Sequence, residues 1–291
     1  MRRGQGASTL LFLLPWILVF TVFEAYPLLT SFALSFTDYN PLAGGGPHFV
    51  GLANYHEALI TPTFWRSLRT TALFVIGTIP FTTVLAFGLA LLVHSRLPAR
   101  GLFRAGFFVP SILSMVVISL VFKNLYAPYG GLNTLLAALH FPTPDWLLNT
   151  KTALPAVMAM DVWASIGYYM VLFLAGLQTI PRDLYEAASL DGGSRWDALW
   201  HITLPMLRPV ALFVIVINTI RSFQVFVEIF VMTRGGPLDT TLTAVYYLYD
   251  RAFYAFRLGY ASAVAYLLFG VILCVALVQM RALKAGRGVA T

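Results

Sequence analysis

The chain has 291 residues, of which 59% are hydrophobic and only 11% are charged, and its mean hydropathy is +0.78. Because a soluble domain carries about 25% charged residues, this composition excludes a water-soluble globular protein and predicts a polytopic membrane protein. The formal net charge is +7, but the basic residues cluster beside apolar runs. That pattern orients membrane spans and does not indicate nucleic-acid binding.

Six apolar runs are long enough to cross a bilayer, which needs about 20 residues. They cover residues 9–36, 67–94, 102–122, 152–178, 206–232 and 259–280. The first run follows a short basic segment, residues 1–8, so a signal peptide is the alternative interpretation. No small-residue cleavage site closes a short apolar core, and we therefore expect an uncleaved span and one membrane domain over residues 9–291.

Three long polar segments, residues 38–66, 123–151 and 233–258, contain the Pro and Gly residues that interrupt helices. Lys and Arg are denser in the two termini, in the turn at 94–104 and in the segment after the fourth span. Basic residues concentrate on the cytoplasmic side of a membrane. We therefore expect both termini in the cytoplasm and the three long segments outside.

The segment between the fourth and fifth spans, residues 181–205, has the sequence PRDLYEAASLDGGSRWDALWHITLP. Pro181 suits the first turn of a helix, and Asp191-Gly192-Gly193 predicts its end, because glycine adopts the left-handed conformation there. Ser194 is spaced to cap a second helix with Asp197. We expect Leu204-Pro205 to end that second helix and to begin the fifth span. Such a helix–turn–helix segment predicts a docking surface in the cytosol.

Three anchors in this segment, Glu186-Ala187-Ala188, Gly192 and Ile202-x-Leu204-Pro205, resemble at their full spacing the EAA motif of ABC importer permeases. The resemblance implies an all-α, MetI-like permease fold with six transmembrane helices. It also implies that this loop is a coupling helix that docks into an ATPase subunit. The residues it assigns to coupling are Glu186, Ala187, Ala188, Asp191, Gly192, Ile202, Leu204 and Pro205. The segment Phe49-Val50-Gly51-Leu52-x-Asn54-Tyr55 and the Gly-Gly-Pro sequence at 235–237 are similar to the sugar-importing branch of the family.

The family resemblance also implies the partners. They are a second, similar permease in a heterodimer, two ATPase subunits, an extracytoplasmic binding protein, and a sugar or oligosaccharide substrate. The location implied is the cytoplasmic (inner) membrane of a bacterium or archaeon, with the lipid bilayer around the spans. No nucleic acid and no cofactor are expected.

Charged residues within spans cost roughly 2.5–3.5 kcal/mol each on insertion scales and usually have a function. Arg221 lies near the middle of the predicted fifth span and Asp161 lies in the fourth. At 1.5 Å per residue the two are about 16 and 10 Å below the outer ends of their spans, close enough for their side chains to meet. We expect a polar stripe along the helix of the fifth span. It comprises Asn218, Arg221, Ser222, Gln224 and Glu228.

Aromatic side chains follow Asp161, and rings beside hydrogen-bonding groups suit a sugar. In the resembling permeases the helices on either side of the coupling loop line the substrate path. That position implies a substrate-binding set of Asp161, Trp163, Tyr168, Asn218, Arg221, Ser222 and Gln224. A structural ion pair between Asp161 and Arg221 is the alternative.

The sequence lacks the signatures of catalysis. None of the lysines stands in the glycine-rich phosphate-binding motif, so we expect no ATP hydrolysis by this chain. The histidines lack zinc-binding spacing, and Cys274 is the only cysteine, so no catalytic or metal site is expected. The alternatives are an importer of a phosphorylated polyol such as glycerol 3-phosphate, an ion-coupled secondary transporter, which would usually carry a repeated half-structure, and a membrane-embedded enzyme.

Overall fold

A computed structural model describes residues 3–44, 46–94 and 100–285, and the side chains within 12–44, 46–94 and 101–282. Gly45, Arg96 and Arg287, which entered the predicted loop and charge pattern, lie outside these residues. The described chain is helical, and its strand-like pairing is a single bridge between Thr37 and Phe49. The chain divides into two compact units: residues 1–65 with 247–270 form the first, and residues 66–246 with 271–291 form the second.

The first unit contains the N-terminal helices and the start of the last helix. Helix α1 is Arg3–Phe20, a π-helical segment follows at Thr21–Ala25, α2 is Tyr26–Leu34 and α3 is Ala53–Ile60. The side chains of Phe12–Leu34 are almost all exposed, as expected of a helix that contacts lipid.

The second unit holds most of the remaining helices. They are α4 (Pro62–His94), α5 (Arg100–Ile112), α6 (Met115–Leu125), α7 (Gly131–Ala138), α8 (Ala153–Gln178), α9 (Arg182–Leu190), α10 (Arg195–Ala198), α11 (Leu204–Phe223) and α12 (Val227–Met232). Three helices of the described chain cross the boundary between units: α4, α13 (Ala244–Tyr249) and α14 (Leu258–Ala285). The other π-helical segments lie at Leu199–Thr203 and Asp250–Tyr254.

Five helical stretches of the described chain are long and apolar enough to cross a membrane. They are Phe12–Leu34, Pro62–His94, Ala153–Gln178, Arg195–Met232 and Leu258–Ala282. A sixth crossing exists if the bent pair Gly101–Ile112 and Met115–Leu125 counts as one span. The prediction of a helical, multi-pass membrane protein is confirmed.

The predicted third span, residues 102–122, is bent in the structure. Helices α5 and α6 meet at an angle of 97°. Pro110 lies in the last turn of α5 and provides no N–H for the helical ladder, and Ser114 is extended (φ −61°, ψ 128°) before the chain enters α6. Proline and a short extended link therefore turn the chain where apolar composition alone predicted continuity.

The expectation that Leu204-Pro205 ends the second loop helix is wrong. The chain passes from α10 through the π-helical segment at Leu199–Thr203 directly into α11. Pro205 lies in the first turn of α11, directly after the π-helical segment, and it has no N–H to donate to the helix. A local π adjustment of this kind accommodates proline within a membrane helix without breaking it.

The fifth span differs from the prediction at its other end as well. Helix α11 stops at Phe223, Gln224 is its C-terminal cap, and α12 starts only at Val227. Asn218, Arg221 and Ser222 therefore share one helix, whereas Gln224 lies in the break and Glu228 in the next helix. The single polar stripe predicted along one helix does not exist.

The loop motif at 49–55 has a structural role in the first unit. The amide nitrogen of Asn54 donates to the backbone carbonyls of Ser35 (2.9 Å) and Thr37 (2.7 Å), and the hydroxyls of Ser35 and Tyr55 lie 2.7 Å apart. Gly51 has a φ of +58°, the left-handed conformation that favours glycine. These contacts fasten the first polar loop to the end of α2.

Helices α5 and α8 make the closest backbone approach in the described part of the second unit. A Cβ added at Gly167 would lie 1.9 Å from the carbonyl oxygen of Phe107 and 2.9 Å from the Cα of Phe108. Small residues permit such close packing between membrane helices. Gly167 thus sets the distance between α5 and α8.

We expect Gly167→Ala to destabilise the protein, because the new methyl group meets backbone atoms that move only with their helix. Overpacking typically costs about 1–3 kcal/mol. The midpoint of thermal aggregation in detergent measures the effect. Gly88→Ala is the matched control, since a Cβ at Gly88 meets no atom within 4 Å and alanine favours a helix over glycine. Equal midpoints for the two variants would contradict this packing role.

Candidate functional site

The loop between the fourth and fifth spans forms two helices with a sharp turn between them. Helix α9 begins after Pro181, which caps it and does not enter its first turn as expected. Gly192 has a φ of +78°, and the Gly193 N–H donates to the Ala188 carbonyl at 2.8 Å. This is the glycine-terminated helix end that the sequence predicted.

Ser194 begins the second loop helix as predicted. The Asp197 N–H donates to the Ser194 hydroxyl at 3.2 Å, and the Ser194 N–H donates to the Asp197 carboxylate at 2.9 Å. This reciprocal capping box satisfies two backbone donors that a helix start leaves free. A contact of 3.0 Å between the Tyr185 and Thr203 hydroxyls holds α9 against the base of the second helix.

The outer surface of this loop exposes large apolar side chains within a polar sequence. Leu190 is 88% exposed, and Trp196 and Trp200 are 70% and 62% exposed. Glu186 and Ala187 are exposed as well, whereas Ala188, Ile202, Leu204 and Pro205 are partly covered. An apolar surface rimmed by charges is typical of a protein-binding site.

A second candidate site is a polar cavity of about 260 Å³ between α8, α11 and the start of α12. Its lining residues are Phe74, Met115, Asp161, Ser165, Tyr169, Asn218, Arg221, Ser222, Gln224, Val225, Phe226, Val227 and Glu228. The cavity lies within the membrane-crossing part of the chain. Polar groups at this depth usually belong to a substrate or ion path.

The structure brings most of the predicted substrate-binding residues to this cavity. Asp161, Asn218, Arg221, Ser222 and Gln224 line it. Tyr168 joins them indirectly, because the Arg221 guanidinium lies 5.7 Å from the centre of its ring. Among the described residues, Asp161 and Arg221 form no ion pair within 4.0 Å, although both charges face the same space.

Trp163 is not part of this group. Its side chain lines a separate apolar cavity of about 840 Å³ beside α4, α5 and α8. Its ring lies 5.2 Å from that of Phe122. Since Trp163 is two positions from Asp161 on one helix, the two side chains point in different directions.

Two buried side chains place polar atoms in the cavity. The hydroxyl of Tyr169, a side chain with 0% exposure, interacts with Arg221, whereas the amide nitrogen of Asn218, with 3% exposure, has no partner among the described residues. Buried polar groups are nearly always hydrogen-bonded, so the unpaired one deserves an explanation. A ligand with hydroxyl groups would satisfy it.

The predicted substrate-binding set omitted three polar residues of the cavity, Ser165, Tyr169 and Glu228. Ser165 lies four positions after Asp161 and shares its face of α8, a helical spacing visible in the sequence. Glu228 follows the break at Gln224–Phe226, lines the cavity and is only 7% exposed. The break gave no clear sequence signal.

Together these features define a multi-pass membrane protein with a polar cavity between its spans and an exposed loop suited to bind another protein. Residues 95–285 match the family of binding-protein-dependent transport system inner membrane components, and the chain belongs to that family. It is therefore a permease of the ABC transporter class in the inner membrane, as the loop motif predicted.

Curated relatives match over nearly the full chain. The arabinooligosaccharides transport system permease protein AraP of Bacillus subtilis is 33% identical over 282 residues, covering 96% of this chain and 89% of the relative. The lactose transport system permease protein LacF of Rhizobium radiobacter is 33% identical, covering 99% and 96%. The trehalose/maltose transport system permease protein MalF of Thermococcus litoralis is 34% identical, covering 95% and 92%.

Solved structures confirm the fold. A chain of a bacterial ABC transporter involved in the import of the acidic polysaccharide alginate has a TM-score of 0.85 and 20% identity, covering 98% of this chain and 97% of that chain. A second structure of a bacterial alginate ABC transporter, in complex with an alginate pentasaccharide-bound periplasmic protein, has a TM-score of 0.83 and 21% identity, covering 96% of each chain.

Proposed function

We propose that this permease imports a sugar or oligosaccharide delivered by an extracytoplasmic binding protein. The observation that carries the proposal is the full-length similarity to permeases named for arabinooligosaccharides, lactose and trehalose/maltose. The polar cavity adds chemical support, because its amide, hydroxyl and aromatic groups suit a polyhydroxylated ring.

The proposed substrate contacts are Asp161, Asn218, Arg221, Ser222 and Gln224, with Tyr168 supporting the Arg221 guanidinium. Tyr169 joins them because it lines the same cavity and its buried hydroxyl interacts with Arg221. Trp163 remains a prediction without geometric support, since it lines the other cavity.

The proposed coupling site is the loop at 181–205. In this proposal the loop and both chain termini lie on the cytoplasmic side of the membrane. Two ATPase subunits would supply ATP hydrolysis, and a second permease, forming a heterodimer, would complete the channel. Exposed Leu190, Trp196 and Trp200 give α9 and the second loop helix an apolar contact surface. When the ATPases close, they would move this loop and switch the cavity between inward- and outward-facing states.

Import of a phosphorylated polyol is the second candidate, because Arg221 could contact a phosphate. An ion-coupled secondary transporter is disfavoured by the family match, and it would leave the loop at 181–205 without a role. A membrane-embedded enzyme lacks a supporting residue cluster; in the described part of the chain, no three His, Cys, Asp or Glu side chains are grouped as metal ligands.

The test is ATP-dependent uptake by proteoliposomes that contain this chain with its co-encoded permease, ATPase and binding protein. We expect radiolabelled maltose, trehalose, lactose or an arabinooligosaccharide to accumulate only with ATP and the binding protein. Uptake that persists without ATP but follows an ion gradient would overturn the proposal. Uptake of glycerol 3-phosphate alone would favour the second candidate.

A further inference from the structure

We infer that the polar cavity selects uncharged sugars and rejects acidic ones, because its single cation, Arg221, faces two carboxylates, Asp161 and Glu228. The inference rests on the proposed function and specifies its substrate class. It is based on the charged side chains that line the cavity and on the neutral hydrogen-bond donors beside them.

Acidic side chains outnumber basic ones in the cavity lining. Of its thirteen lining residues only Arg221 is basic, and Asp161 and Glu228 are acidic. Arg221 interacts electrostatically with both carboxylates. With one carboxylate ionised the lining is neutral, and with both ionised it carries one negative charge. Ionisation of either carboxylate beside Arg221 is therefore enough to leave no free positive charge for an anionic substrate.

Glu228 supplies the second acidic group of the cavity lining, and its place in α12 keeps it at the cavity. Helix α11 ends at Phe223, and after a short break Glu228 lies in the first turn of α12 and is 7% exposed. A carboxylate or phosphate entering the cavity would approach Asp161 and Glu228 at close range. Two unit charges of one sign, about 5 Å apart at an effective dielectric constant of 20, repel by several kcal/mol.

The remaining polar groups suit neutral hydroxyls. The Asn218 amide nitrogen is buried without a partner among the described residues, and the buried Tyr169 hydroxyl lies beside Arg221. Ser222 contacts the Asn218 amide oxygen and the Thr78 hydroxyl at 3.4 Å each, so its bonds are long. Donors of this kind discriminate strongly for a ligand that pairs them, because an unpaired buried group is costly.

The charge of the cavity can be measured before the substrate is identified. Gln224→Cys, made in a Cys274→Ala background, places one thiol at the exposed part of the lining. Its rates of reaction with a cationic and an anionic methanethiosulfonate reagent are compared in the assembled transporter, relative to a free thiol. We expect the cationic reagent to react as fast or faster. A relative rate about tenfold in favour of the anionic reagent would overturn the inference.

Charge variants sharpen this measurement. Adding Glu228→Gln should shift the rate ratio roughly tenfold towards the anionic reagent, since a nearby unit charge contributes more than 1.4 kcal/mol at such distances. Glu24→Gln is the matched control, because Glu24 is another acidic residue of a predicted span and does not line this cavity. A Glu228→Gln ratio equal to that of the control would also contradict the inference.

Uptake separates this inference from the proposed function. Proteoliposomes are offered neutral maltose, trehalose and lactose, and, separately, digalacturonate. Uptake of the neutral sugars alone supports both conclusions. Equal uptake of digalacturonate overturns charge selection and leaves sugar import standing. If none of these sugars is taken up, the proposed function fails, and the thiol reaction rates still decide whether the cavity repels anions.

Discussion

Arg221→Ala is expected to reduce sugar uptake by about 10- to 100-fold while the transporter remains assembled. The reason is that hydrogen bonds to a charged group contribute about 1.5–3 kcal/mol, and Arg221 lines the polar cavity with its guanidinium over Tyr168. Initial uptake rates in proteoliposomes measure the loss. Copurification of the ATPase subunits and basal ATP hydrolysis show whether assembly is intact.

The matched control for this variant is Arg208→Ala. Arg208 lies on the same helix, is exposed and does not line the polar cavity, so its removal should leave uptake within twofold of the unmodified protein. A structural pair between Arg221 and Asp161 makes a different prediction. In that case Arg221→Ala would reduce assembly, and adding Asp161→Ala would restore it in part. Such recovery would contradict the substrate-contact role.

The second large effect is expected at the turn of the loop between the spans. Gly192→Val should uncouple transport, because a β-branched residue is strained at a φ of +78° and the turn would re-aim α9. We expect uptake to fall by more than about tenfold, as left-handed backbone costs roughly 1–2 kcal/mol per residue even before branching is considered. Uptake and ATPase copurification are measured together.

Two comparisons isolate the backbone as the cause. A Cβ at Gly192 meets no atom within 4 Å, so Gly192→Asn, which tolerates the left-handed conformation, should retain most uptake. Glu186→Lys should resemble Gly192→Val by reversing a charge on the exposed face of α9. Full uptake with normal ATPase activity in Gly192→Val would refute the coupling role. Labelling of Leu190→Cys by a membrane-impermeant maleimide in intact cells would place the loop outside and refute it as well.

The loop was well predicted because its signals are local. A glycine with positive φ, a Ser–Asp capping box and a polar composition between apolar runs each act over a few residues. The structure reproduces all three. The family resemblance was predicted from this short motif, since the spacing of its anchors is readable without any tertiary contact, and the match over residues 95–285 confirms it.

The breaks within the spans were not predictable from the same information. Apolar composition reports that a segment can lie in a membrane but not that it is straight, and membrane helices tolerate proline. Pro110 coincides with a 97° turn, whereas Pro80 and Pro209 lie inside helices that continue. Whether a proline turns the chain depends on the residues that pack against it, and a single sequence does not contain that information.

The cavity was predicted in part. The depth of Arg221 was counted from the end of the fifth span at Met232, and the span does end there, although the helix is interrupted between Phe223 and Val227. Asp161 and Arg221 line one cavity, as their similar predicted depths suggested. Glu228 and Tyr169 were omitted because the direction of a side chain follows from the exact helix path.

The uninterrupted path from α10 through the π-helical segment into α11 has a mechanical consequence. Residues 195–223 form one rod of about 43 Å at ~1.5 Å per residue, with Trp196 at one end and Ser222 at the other. A tilt of about 5° about one end displaces the other by roughly 4 Å over that length. If a partner bound as proposed rotated the end at Trp196, this continuous helical path would carry the displacement to the residues that line the polar cavity.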